Sequence, residues 1–130
     1  MAENTQGFWD DAEIIHTYTR AQALEDGVLV DVSETAREAG FTVPVAVTQA
    51  VWAAIENIPP GKQGFQDVDG RLWDVVYMAS LAARCNRDKE IVHYRLIMHE
   101  GRRTYKDLQM VIGPGDAGEP VITIMEPNES

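Results

Sequence analysis

The chain holds one cysteine, Cys85, among 130 residues. A lone thiol excludes an internal disulfide framework and agrees with a reducing compartment. Long apolar runs are missing too: none approaches the ~20 residues needed to cross a bilayer. The opening stretch, MAENTQGFWDDAEII, has neither the basic flank nor the apolar core of a secretory signal. Cations are few, 11 Lys and Arg against 21 Asp and Glu, for a formal charge of −10. That balance excludes the broad cationic footprint of a nonspecific nucleic-acid binder. The expectation is a cytoplasmic protein with no membrane association and no direct contact with nucleic acid.

The charge is unevenly placed. Residues 1–13 contain Glu3, Asp10, Asp11 and Glu13, and residues 114–130 contain Asp116, Glu119, Glu126 and Glu129, with no Lys or Arg in either stretch. These ends supply −8 of the −10, so the intervening body has 13 acids against 11 bases. Residues 84–106 run the other way, with seven bases (Arg84, Arg87, Lys89, Arg95, Arg102, Arg103, Lys106) against three acids. An acidic protein with a basic side is compatible with a small anionic ligand.

Local signals organise the chain as an acidic arm (1–13), one domain (14–126) and a short tail (127–130). In TRAQALEDG, Thr19 and Gln22 form a capping box and Gly27 a stop. In SETAREAG, Ser33 reads as N-cap and Gly40 as terminator. FTVPVAV is extended, with Pro44 arguing against a central strand. Thr48 caps QAVWAAIENI, which carries Val51, Trp52 and Ile55 on one face. PPGKQGFQDVDG reads as loop. The longest helix is RLWDVVYMASLAARC, with Leu72, Val75, Val76, Ala79 and Ala83 as its buried stripe. Beyond it the period becomes two: IVHYRLIMHE, TYKDLQMVI and PVITIM read as an antiparallel meander with one packed face. The fold class is α+β: short N-terminal helices and extended segments, one long helix, and a C-terminal β-meander.

Catalytic and metal motifs are absent. GPGDAG has dinucleotide-loop spacing but leads into a strand, where that fold needs a helix, so it reads as a meander loop. His93 and His99 share a strand face ~20 Å apart, too far for one ion. Cys85 lies near Arg84 and Arg87, yet no spacing implies a base to activate it. No catalytic residue, metal ligand or cofactor is expected, and the chain reads as a binding protein.

Trp73 and Tyr77 lie four apart on the long helix, near Arg71. Arg95, Arg102, Arg103 and Lys106 cluster on the first hairpin, around MHEGRRTYKD. Aromatic faces stack a base and guanidinium groups grip phosphate, so these residue types suit a nucleotide-like ligand. The simpler account makes the aromatics core and the cations solubilisers of a sheet edge.

Three stretches, YTRAQALEDGVLVDVSETAREAGFTVPVAVTQAVW, DGRLWDVVYMASLAAR and GPGDAGEPVITIM, carry a resemblance to small proteins encoded by bacterial mobile elements, prophages and phages. The resemblance extends to the phage anti-Thoeris sponge proteins, which sequester a cyclic ADP-ribose-type immune signal without cleaving it. It implies a non-enzymatic homo-oligomer in the host cytoplasm, with adenine and pyrophosphate held by aromatic and basic residues. The residues chosen for that role, on their chemistry, are Arg20, Arg71, Trp73, Tyr77, Arg95, Arg102, Arg103 and Lys106. Two alternatives stand beside it: an acidic protein-interaction inhibitor of a defence complex, and an accessory protein of a mobile element.

Overall fold

Capping decides where the first elements begin. The computed structural model describes residues 18–58, 67–99 and 103–129. Helix α1 (Arg20–Asp26) starts at Thr19, whose side chain accepts from the Gln22 N–H while the Gln22 side chain accepts from the Thr19 N–H; it ends at Gly27, φ 80°. Strand β1 (Leu29–Asp31) leads into helix α2 (Ser33–Glu38). Ser33 is not the N-cap that its position suggests. Its hydroxyl donates to Asp31 at 2.6 Å and accepts from the Val45 N–H at 3.0 Å, so it ties β1 to β2 (Val45–Thr48). Thr48 ends that strand and caps helix α3 (Gln49–Glu56) through the Val51 N–H. Helix α4 (Val68–Cys85) starts three residues earlier than its apolar period implies, because Asp67 caps it and Asp69 lies in its first turn. An acid at each of these positions favours the positive end of the helix dipole.

Strands β3 (Ile91–His99), β4 (Arg103–Pro114) and β5 (Pro120–Met125) form the antiparallel meander. They join β1 and β2 in one five-stranded sheet of order β1-β2-β5-β4-β3. β2 is therefore an interior strand, parallel to β5, contrary to the reading of Pro44. Pro44 lies just before the strand, where its missing N–H is not needed, and its carbonyl still accepts from the Ile122 N–H at 2.9 Å.

The core lies between the sheet and helices α2, α3 and α4. β2 contributes Val45 and Val47, β3 contributes Val92, Tyr94, Leu96 and Met98, and β4 and β5 contribute Leu108, Met110, Ile122 and Ile124. Ala36, Val51, Ile55, Leu72, Val75, Val76 and Ala79 meet them from the helices. The opposite sheet face is partly covered by α1. Arg20 reaches across it, donating to Thr123 Oγ1 at 2.7 Å and to the Ile122 carbonyl at 2.8 Å. Covering β2 on both sides explains its unbroken apolar run, in which Ala46 is as buried as its neighbours. The turn after β5 is also tied down: Glu129 accepts from Thr48 Oγ1 at 2.8 Å, and its carbonyl accepts from Gln109 Nε2 at 3.0 Å. No helix among the described residues is long and apolar enough to cross a membrane.

Candidate functional site

Helix α4 supplies the platform. Its inward stripe is core, but Trp73 and Tyr77 face out, 37% and 41% exposed. Their rings stack on each other with centroids 5.5 Å apart and planes at 18°. Both rings are exposed and one stacks on the other, so these aromatics are not core. The helical repeat extends this stripe to Ser80 and Arg84, three and seven residues beyond Tyr77. The buried Ser80 hydroxyl has no hydrogen-bond partner among the described residues. Arg84 is exposed, and its guanidinium lies over Gly40, at the end of α2, where a β-carbon would sit only 3.1 Å from the nearer nitrogen. Gly40 has φ 111°, a conformation that side chains other than hydrogen rarely take. The arrangement places a cation ~10 Å along the axis from the aromatic pair.

The other cations named from the sequence are placed elsewhere. Arg71 is buried and turns inward, donating to the carbonyls of Ala54 at 2.8 Å and Asn57 at 2.9 Å, so it closes the end of α3. Arg20 is engaged with β5 on the opposite side of the sheet, and burial lowers its pKa below the usual guanidinium value. Arg95 lies on the outer face of β3, chelated by Asp107 at 2.6 and 3.2 Å, with its guanidinium 5.4 Å from the Tyr105 ring centroid. The hydrogen bond from Arg95 is the main cause holding the Asp107 carboxyl below the ordinary carboxylate range. Lys106 pairs with Glu126 at 2.9 Å. Arg103 opens β4 opposite His99. Arg102 lies outside the described residues.

The hairpin therefore carries an ion-pair ladder, and the outer stripe of α4 carries the aromatics with Arg84. A cleft of about 460 Å³ lies along β3 on the flank of α4, and it takes Asp74 and Met78 from the helix. Each follows Trp73 or Tyr77 by one residue, hence by about 100° around the helix, so this cleft and the aromatic stripe are separate surfaces. Among the described residues no group of three or more His, Cys, Asp or Glu could hold a metal ion.

Arg84 and Ser80, which continue the helical stripe of Trp73 and Tyr77, are not among the residues that the sequence singles out for the ligand. The i, i+4, i+7, i+11 spacing from Trp73 was the available signal, obscured because Arg84 reads first as a neighbour of Cys85. Arg95 and Asp107 face each other in the β3–β4 register.

A family model covers residues 5–130. The chain belongs to DUF6573, a family of unknown function. No curated protein and no solved structure matches it. For this DUF6573 member, function has to be argued from the site itself.

Proposed function

We propose that this DUF6573 protein is a non-enzymatic binder of a nucleotide-type signal, with the base stacked on Trp73 and Tyr77 and the phosphate side directed along α4 to Arg84. The observation that carries the reading is the pair of parallel, solvent-facing rings. An exposed aromatic face can gain ~1–3 kcal/mol from one stacked base. Arg84, which makes no ion pair among the described residues, supplies the complementary charge. The resemblance to proteins of mobile elements and phages narrows the ligand to a cyclic adenine nucleotide of the cyclic ADP-ribose type, and the role to sequestration against a host defence.

Calorimetric titration with cyclic ADP-ribose isomers, linear ADP-ribose and cyclic oligonucleotides tests this reading. One member of the panel should bind and be recovered chemically unchanged. Its binding should weaken ~10–100-fold in Trp73→Ala, the range of one lost stacking contact. Silence across the panel, or turnover of the bound compound, overturns the proposal.

A further inference from the structure

The two edges of the sheet are built differently. β1 is three residues long and carries Asp31, and α1 packs beside it. Short, charged and covered edges resist pairing with other strands. β3 is nine residues long, IVHYRLIMH, with no proline, glycine or bulge and one charged residue, Arg95, already held by Asp107. Its register with β4 is unbroken from Ile91 opposite Val111 to His99 opposite Arg103. Among the described residues no strand lies on its other side.

The direction of its backbone groups follows from one bond. The Ile112 N–H donates to the Glu90 carbonyl at 2.8 Å, and Glu90 is opposite Ile112 in the same register. Hydrogen-bonded and non-bonded pairs alternate along an antiparallel ladder. Even-numbered residues of β3 therefore bond to β4, while Ile91, His93, Arg95 and Ile97 aim N–H and C=O groups at the free edge. The 460 Å³ cleft lies along that edge. It takes Leu96 from the core side of β3, Arg95 and Ile97 from the outer side, and Asp74 and Met78 from α4.

We infer that β3 pairs antiparallel with β3 of a second copy of this chain, about a two-fold axis through Tyr94, and makes one continuous sheet across the dimer. This register matches side chains row by row on the outer face. Val111 and Ile91 continue into Ile97 and Tyr105 of the second copy, an apolar row. Gln109 and His93 continue into Arg95 and Asp107 of the second copy, a polar row. On the core face Val92 meets Leu96, and Tyr94 meets Tyr94. A two-residue slip one way opposes Arg95 to Arg95; a slip the other way opposes Ile91 to Arg95. Both mix the rows, and like charges directly opposite are unfavourable. Exposed Ile91 and Tyr105 gain apolar neighbours only in the matched register. The carboxylates of Asp116 and Glu129 are engaged with the start of α1 and with Thr48 at the end of β2, away from β3. The outer stripe of α4 stays open, so this interface stands or falls independently of the ligand.

Sedimentation analysis of the full chain at physiological salt should give twice the chain mass. Ile91→Lys with Ile97→Lys, and Ile91→Glu with Ile97→Glu, should each sediment as a monomer, and an equal mixture should recover the dimer. Recovery on mixing also shows that both variants fold. Amide hydrogen exchange of the unaltered chain adds a readout that needs no variant: His93 and Arg95, which lack a partner strand within the subunit, should be protected. A monomeric wild type, a dimer indifferent to both charge variants, or fast exchange at His93 and Arg95 overturns the inference.

Discussion

Asp116, in the loop after β4, accepts the Arg20 N–H at 2.8 Å and the Ala21 N–H at 2.9 Å, and so anchors a helix that begins 96 residues earlier. These two backbone bonds are the main reason its carboxyl titrates below the ordinary aspartate range. The folded-state pKa is therefore lower than the unfolded one. The stabilisation is complete above the ordinary aspartate range and is lost as pH falls through the depressed folded value. Asp116→Ala should melt below the wild type at neutral pH, and the difference in Tm should close as the solution is acidified. A gap that persists in acid would refute the assignment.

Arg71 was grouped with ligand-binding cations on chemistry, but its bonds are to Ala54 and Asn57. Arg71→Ala should cost about 2 kcal/mol of stability, because a buried guanidinium and its two charge-assisted bonds to the end of α3 are lost. Ligand affinity of the folded fraction should not change. Denaturant melts paired with titration separate the two effects.

Ser80 gives a prediction of the opposite sign. Its buried hydroxyl has no partner among the described residues, and alanine is the better helix former. Ser80→Ala should stabilise the free protein by about 1 kcal/mol. Equal or lower stability in urea melts would show that the hydroxyl is satisfied.

Gly40 and Arg84 form a coupled pair. Gly40→Ala adds a β-carbon at a positive φ and 3.1 Å from the Arg84 guanidinium. It should cost about 1 kcal/mol or more and should weaken nucleotide binding by displacing Arg84. In the Arg84→Ala background the stability cost should remain, since the backbone strain does, while the effect on binding disappears. A double-mutant cycle measures both.

Much of the fold was legible along the chain. Thr19, Gln22 and Gly27 bound α1, Thr48 caps α3, and the switch from a helical period to alternation after Cys85 marks the meander. The site was legible by residue type and less so by placement. Trp73 and Tyr77 are exposed and stacked, Arg84 lies further along the same stripe, and Arg95 and Lys106 of the hairpin pair with Asp107 and Glu126.

The sequence by itself determined the caps at Thr19 and Thr48, the stop at Gly27 and the change from helical period to alternation, because each depends on groups within a turn or a strand of one another. Only the tertiary structure decided that β2 lies inside the sheet beside β5, that Arg71 turns inward while Trp73 stays out, and that Ser33 joins strands instead of capping a helix. Those outcomes depend on which distant surfaces exclude water from each other and which buried carbonyls need a donor. A local pattern can show that a side chain is apolar or charged; the partner that covers or neutralises it is supplied by another part of the chain.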